Sequence, residues 1–164
     1  LYEGIISMVE EADHSIVIVT PYFIPDEVLY RSLIVKARAG CEVTVIVPEK
    51  SNHPVTDYAR RHFLRELQAA GAEVRLFGPG MLHSKAVIVD DRIGLLGSAN
   101  LDLRSLFVNF EIGLFVYSRQ EVLAMRAWAA GLMAASKPAS TRRKALGFGQ
   151  TVLEECCRLL APLL

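Results

Sequence analysis

Three short apolar runs, separated by two helix-length segments that each close on glycine, constrain the fold of this chain most. Ser15–Thr20, Glu42–Val47 and Glu73–Phe77 are continuous, β-branched stretches of the kind buried on both faces of a parallel sheet. Between the first two, Asp26 is placed to cap a helix running to about Ala39, with Gly40 as its terminator. Between the second and third, Pro54 suits the first turn of a helix reaching Ala70, and Gly71 ends it. Upstream, Ile5, Met8, Val9 and Ala12 fall at helical spacing within residues 1–12. Pro21 and Pro25 bracket Tyr22-Phe23-Ile24, which reads as a stiff loop.

After Gly78-Pro79-Gly80 the rhythm changes. Lys85–Val89 and Ile93–Leu96 are separated only by Asp90-Asp91-Arg92, which predicts a hairpin. Asn109–Tyr117 reads as a further strand and Glu121–Ala135 as a helix. Strand–helix alternation followed by a hairpin predicts an α/β fold: a mixed, mostly parallel sheet with helices on both faces. Ser136–Gly149, rich in Lys and Arg, reads as a linker, and about Gln150 to Leu160 as a C-terminal amphipathic helix. The expected organisation is one domain over 1–164, with a core of about 1–136 and a linker and tail helix over about 137–164.

Composition narrows the functional classes. Lys plus Arg and Asp plus Glu both number 18, so no global field would draw in nucleic acid, and no nucleic-acid partner is expected. Apolar residues make up 52% of the chain, but no run approaches the ~20 residues that a membrane helix needs. The three cysteines, Cys41 and the adjacent Cys156 and Cys157, make no disulfide framework and fit a reducing compartment. The chain opens on Leu1 without a targeting pattern and reads as part of a longer protein.

The segment that carries chemistry is His83-Ser84-Lys85, then Asp90, then Gly97-Ser98-Ala99-Asn100. Two apart at a strand edge, His83 and Lys85 point to one side. Lys85 supplies a point charge for phosphoryl oxygens, and an imidazole can attack phosphorus or move a proton near neutral pH. Gly97 permits close backbone approach, while Ser98 and Asn100 offer hydrogen-bond donors. The positive charge comes from side chains, so neither metal nor other cofactor is called for. Taken singly, a strand histidine is ordinarily packed or solvated, and Asp90-Asp91 is ordinary turn chemistry. The whole spacing, H-x-K-x4-D-x6-G-[ST]-x-N, should arise by chance in a chain this long roughly once in 10^5 or less.

This segment resembles the HKD motif of the phospholipase D superfamily. The flanks Thr20-Pro21-Tyr22-Phe23-Ile24-Pro25-Asp26, Leu101-Asp102-Leu103-Arg104-Ser105 and Asn109-Phe110-Glu111 resemble the C-terminal half of bacterial cardiolipin synthases. The resemblance implies that His83 is one of two active-site histidines and that Lys85 and Asn100 bind phosphate oxygens, with Ser98 nearby. It implies that Glu111 accepts a hydrogen bond from the far nitrogen of His83, and that Asp90 organises the hairpin and Lys85. Tyr22 and Phe23 are candidates to line an acyl-chain or headgroup pocket, with ordinary loop packing the alternative. His53 corresponds to a family loop residue near the site, though a solvated surface histidine is the preferred reading.

The implied activity joins two phosphatidylglycerol molecules into cardiolipin and glycerol through a phosphohistidine, at the cytoplasmic side of a bacterial cell membrane. The implied partners are phosphatidylglycerol, a membrane surface and a second HKD half, supplied by a missing N-terminal region or by a homodimer. Alone, the chain is then expected to be inactive. A phospholipase D-type lipid hydrolase or nuclease, and a non-catalytic lipid-binding half, are the alternatives. The tail helix, with Arg142, Arg143 and Lys144 upstream, is either an interfacial anchor or a packing element for the missing half.

Overall fold

In a computed structural model, residues 1–140 are described. Helix α1 spans Tyr2–Glu10, strand β1 Ser15–Val19, β2 Phe23–Ile24 and helix α2 Glu27–Arg38. Strand β3 (Glu42–Pro48), helix α3 (Pro54–Ala69) and strand β4 (Glu73–Phe77) complete the alternating region. The hairpin is β5 (Ala86–Val89) and β6 (Ile93–Gly97). Then come β7 (Leu101–Asp102), α4 (Leu103–Phe107), β8 (Gly113–Val116), α5 (Arg119–Ala134) and β9 (Ser136–Pro138).

Seven strands form one sheet in the order β8-β6-β5-β1-β3-β4-β9. Pairing is parallel between β1 and β3 and between β3 and β4, as two short helical crossovers require. The hairpin and both edges add the antiparallel pairings. The sheet is therefore mixed, with its parallel character concentrated in the alternating region.

Side-chain alternation along the central strands sorts the core into two layers. Ile16, Ile18, Val43, Val45, Val87 and Val89 face one side, where α1, α2 and α3 contribute Ile5, Val9, Leu29, Leu33 and Leu67. Val17, Val19, Ile46 and Ile88 face the other and pack on Val122, Met125 and Ala129 of α5. Each such side chain, fully buried, contributes roughly 1.5–3 kcal/mol. The helix terminators act as expected: Asp26 accepts from the Val28 N–H, and Gly40 and Gly71 adopt φ of +96° and +107°.

Four elements differ from expectation. The 21–25 segment is not only a loop, because Phe23–Ile24 pairs in parallel with Leu101–Asp102 in a separate two-stranded sheet. A pairing across so many residues leaves no local signature. Asp102 accepts from the Ser105 N–H and starts the short helix α4, which the sequence reading passed over. The strand expected over Asn109–Tyr117 begins only at Gly113, since the Val108 and Asn109 N–H groups turn back to the Arg104 carbonyl. Ser136–Pro138 is an edge strand on β4, so the sheet continues into the stretch read as linker. The expected tail helix lies outside the described residues.

Candidate active site

The topology gathers loops from five strands at one end of the sheet. That end is the carboxyl end of the parallel strands, where open α/β sheets build their sites. Tyr22 follows β1, and Asn52 and His53 follow β3. Lys85 precedes the antiparallel β5, Ser98 and Asn100 follow β6, and Glu111 precedes β8. The register Val19↔Ala86 and Ala86↔Leu96 places these ends side by side.

His83 and Lys85 meet as expected. The Lys85 Nζ lies 3.1 Å from His83 Nδ1 and 3.2 Å from Nε2, and it donates to the His83 carbonyl at 2.7 Å. Both residues precede the strand rather than lie in it, and the loop holds the imidazole in solvent. Burial depresses the Lys85 pKa below the ordinary lysine value, an effect opposed by the negative charges of Glu111 and Asp102. A half-buried ammonium beside an exposed imidazole can hold a phosphoryl oxygen while the ring nitrogen approaches phosphorus.

Ser98 is locked in place. Its N–H donates to the Ile112 carbonyl at 3.0 Å, and its Oγ accepts from the Ile112 N–H at 3.0 Å. The Ser98 hydroxyl donates to Glu111 Oε2, whose other oxygen accepts from Asn109 Nδ2 at 3.4 Å. Glu111 therefore orients Ser98 here, and among the described residues no hydrogen bond joins its carboxylate to His83. The loop before β8 runs alongside the 97–98 segment, so the carboxylate meets the hydroxyl first.

Asn100 donates to Ser105 Oγ at 3.2 Å, and its Oδ1 is buried without a partner. Tyr22 donates to Asn52 Oδ1 at 2.6 Å and stands edge-on to the His53 ring, 5.5 Å between centroids. Asn100, Tyr22 and His53 line one cleft of about 320 Å³. His53 is exposed, as read from the sequence, yet borders this cleft. Asn52, Arg104 and Asn109 were not singled out beforehand. Asn52 and Asn109 are ordinary loop polar residues and Arg104 sits on the short helix α4, and only the fold brings these segments together.

Two candidates are not brought to the site. Phe23 is fully buried in the core against α2 and α3 and cannot line a pocket, because β2 turns its side chain inward. Asp90 follows β5, at the end opposite Lys85. Its carboxylate accepts from the N–H groups of Asp13, His14 and Ser15 at 3.1, 2.9 and 2.8 Å. Desolvation would raise its pKa, but these three donors together bring it below the ordinary carboxylate value. Asp90 ties the turn before β1 to the hairpin, as expected of it, but no hydrogen bond joins it to Lys85 among the described residues.

Residues 5–133 match the family described as cardiolipin synthase, PLD-like domain. A cardiolipin synthase of Halalkalibacterium halodurans is 36% identical over 159 residues, which are 96% of this chain and 32% of that protein. One from Oceanobacillus iheyensis is 42% identical over 119 residues, 73% of this chain and 25% of that protein. The chain thus spans about a quarter to a third of these relatives. Among solved structures, phosphatidylserine synthase of Haemophilus influenzae superposes with a TM-score of 0.77 at 21% identity, covering 98% of this chain and 44% of that one. Nuc, a phospholipase D family member from Salmonella typhimurium, gives 0.75 at 16% identity over 84% and 89% of the two chains.

Proposed function

The chain belongs to the cardiolipin synthase, PLD-like domain family, and from that premise we propose that it is one catalytic half of a phosphatidyltransferase joining two phosphatidylglycerols into cardiolipin and glycerol. The observation that carries the reading is the Lys85 ammonium held 3.1 and 3.2 Å from the two ring nitrogens of His83. A cation and a nucleophile at that separation suit one phosphodiester.

A His83 nitrogen attacks phosphorus, and the bond from phosphorus to the glycerol oxygen breaks. The departing oxygen takes a proton from a second histidine, and a phosphohistidine remains. That second histidine then removes the proton from the headgroup hydroxyl of another phosphatidylglycerol. The new oxygen attacks phosphorus, the phosphorus–nitrogen bond breaks, and cardiolipin forms. Lys85 balances the phosphoryl charge through both steps, with Asn100 and the Glu111-held Ser98 as neighbouring hydrogen-bonding groups.

This chemistry needs a second histidine and lysine, and the described residues hold one such pair. The partner half comes from the remainder of a longer chain or from a second copy. An apolar strip beside the site, Phe110, Ile112 and Leu114, supports such docking. Among the described residues no helix is long and apolar enough to cross a membrane.

The test is product analysis with the full-length protein on phosphatidylglycerol vesicles. Cardiolipin and glycerol in equal amounts, with little phosphatidic acid, are expected, and rapid denaturation in detergent at mildly alkaline pH, where the phosphorus–nitrogen bond survives, should trap the adduct on His83. Phosphatidic acid as the main product would make the protein a hydrolase, and DNA cleavage without lipid turnover a nuclease.

A further inference from the structure

Arg60 and Arg61 are neighbours on α3 with opposite surroundings. Arg61 is exposed, whereas Arg60 is 3% exposed and lies inside the molecule, behind the candidate site. Its Nη1 donates to the Pro21 carbonyl at 3.4 Å, and its Nη2 donates to the Pro48 and Glu49 carbonyls at 2.7 and 3.4 Å. Nη2 also lies 2.8 Å from Asp57 Oδ1, an ion pair within one turn of the same helix. Burial pulls the guanidinium pKa down and the Asp57 carboxylate holds it up, and the group remains a cation.

A buried cation is a poor device for stability alone. Its desolvation offsets much of what the ion pair returns, and apolar side chains of similar volume fill such a space about as well. What the planar fork adds is direction, since it reaches carbonyls of two different segments at once. One segment is the turn that leaves β1, and the other is the end of β3. Both carry residues of the site: Tyr22 follows Pro21, and Asn52 and His53 lie just beyond Glu49. Asp57 extends the grip, because its Oδ2 accepts from the Ser51 N–H at 2.9 Å. The Tyr22–Asn52 hydrogen bond joins the same two segments a second time.

Through β2 this grip reaches the residues around the phosphate site. Pro21 leads into β2, whose Ile24 packs on Ala59, the α3 residue before Arg60. Phe23 and Ile24 pair in parallel with Leu101 and Asp102. Asn100 immediately precedes that pairing. Asn100 and Asp102 converge on Ser105, through its Oγ at 3.2 Å and its N–H at 2.7 Å. Together with Glu111, Asp102 supports the charge of Lys85 against burial. A shift of the 21–24 segment therefore moves Asn100 and Asp102 relative to Lys85, and a pairing of only two residues offers little resistance.

We propose that Arg60 is a positioning residue for the reaction. From α3 it fixes the 21–24 and 48–53 segments, and through the β2–β7 pairing it sets Asn100 and Asp102 against Lys85. Among the described residues it forms no hydrogen bond with His83, Lys85, Ser98 or Asn100, so it acts only through the backbone that it holds. The inference rests on the phosphatidyl-transfer reading for its effect on turnover, while its effect on the strand pairing is measurable without turnover.

Two variants of the full-length protein separate positioning from stability. Arg60→Lys keeps a charge opposite Asp57 but cannot span both segments, because one ammonium replaces the fork. Arg60→Met combined with Asp57→Asn removes both charges and fills the space with an apolar chain. Each should melt close to the wild-type temperature yet lose roughly 10- to 100-fold in kcat on phosphatidylglycerol vesicles, the cost of a small misplacement at a reacting centre. KM should stay within about threefold, as when an interaction made only in the transition state is lost. Hydrogen exchange should show the β2–β7 amides about tenfold less protected, with the β1 and β3 amides unchanged. Wild-type kcat in Arg60→Lys would reduce Arg60 to an ion-pair partner and overturn the proposal. A loss of turnover that only tracks a loss of folded protein would overturn it equally. If the double variant fails to fold, Arg60→Lys still decides through kcat and exchange. If the wild-type protein makes no cardiolipin, exchange decides alone: loosened β2–β7 amides sustain the positioning role and unchanged ones remove it. Cardiolipin synthesis by both variants at the wild-type rate would leave the transfer reading standing and remove Arg60 from it.

Discussion

Lys85 and Asp90 stand at opposite ends of β5, and Lys85 is the one that lies beside His83. Five residues of extended chain separate them by roughly 16 Å. The Asp90 carboxylate is instead spent on three consecutive backbone N–H groups at the start of β1. Its own carbonyl accepts from Arg126 at 3.0 Å, and Arg126 also reaches Ser15 Oγ at 2.7 Å and Asp91 at 3.1 Å. This polar knot ties α5, β1 and the hairpin together below the sheet.

Asp90→Ala should therefore lower stability by about 3 kcal/mol, through three lost charge-assisted bonds and alanine's poor fit to φ of +49°. The remaining folded protein should keep its turnover within about threefold. The folded pKa is depressed, so this contribution is fully present above the ordinary carboxylate value, about 3.9, and fades as pH falls through the folded value. Chemical unfolding of wild type and variant across pH checks it. A difference that stays constant down to about pH 2, or a selective loss of turnover, would contradict this role.

The contrast between these residues also explains what was legible in the sequence. The parallel strands, their capped helices and the hairpin were readable because each depends on local pattern: β-branched runs, Asp26 before α2, glycines after the helices. His83 and Lys85 were readable because their meeting depends on a separation of two residues. The contacts that Asp90, Glu111 and Phe23 make were not legible because their partners lie far along the chain. The Asp90 contacts span 75 to 77 residues and the Glu111–Ser98 contact spans 13. A motif fixes which residues matter to a fold without fixing which of them touch.

Gly97 tests the backbone around the site. A Cβ there would strike the Ile112 carbonyl oxygen, itself bonded to the Ser98 N–H. Gly97→Ala should push β8 away from β6, unseat Ser98 and Glu111, and cost about 1–3 kcal/mol. Loss of turnover greater than loss of folded population is expected. A variant with wild-type melting and activity would mean the strands part without consequence.

Ser98 and Glu111 should behave as one unit. Ser98→Ala and Glu111→Gln should each reduce turnover, and the double variant should be little worse than either alone. A coupling energy of about 1–3 kcal/mol is expected for a charge-assisted bond between neighbours. Strict additivity of the two losses would show that each acts separately, and would reopen a contact between Glu111 and His83 in the complete enzyme.

The depressed Lys85 pKa should set the alkaline limit of activity in the proposed reaction. As pH rises through that value the ammonium is lost, and with it the charge facing the phosphoryl oxygens. A plot of log kcat/KM should bend downward below about pH 10.4, the ordinary lysine value. Lys85→Arg retains charge and should move that bend upward, although overall activity falls because the guanidinium does not fit a point-charge site. An unmoved alkaline limb would assign it to another group.

The apolar strip beside the site carries the last prediction. Phe110 is fully exposed, and Val108, Ile112 and Leu114 are exposed by 71, 76 and 64%. They surround β8, which forms an edge of the sheet and so offers unpaired backbone as well as apolar surface. A monomer rarely leaves so contiguous a patch to water, and this one lies directly over the Ser98–Glu111 contact. A second half docked here would bring its histidine towards His83 and exclude water from the phosphohistidine, favouring an alcohol as acceptor. In the full-length protein, Ile112→Asp combined with Leu114→Lys should cut cardiolipin formation by about two orders of magnitude or more, since one of the two acid/base groups would be displaced. Phosphatidic acid should rise as a share of the residual product. Val35→Asp is the control: Val35 is 61% exposed but lies on α2, away from β8, and its substitution should leave both products unchanged. Full cardiolipin synthesis by the Ile112/Leu114 variant would exclude this edge as the meeting surface. Equal damage from Val35→Asp would reduce the effect to general surface disruption.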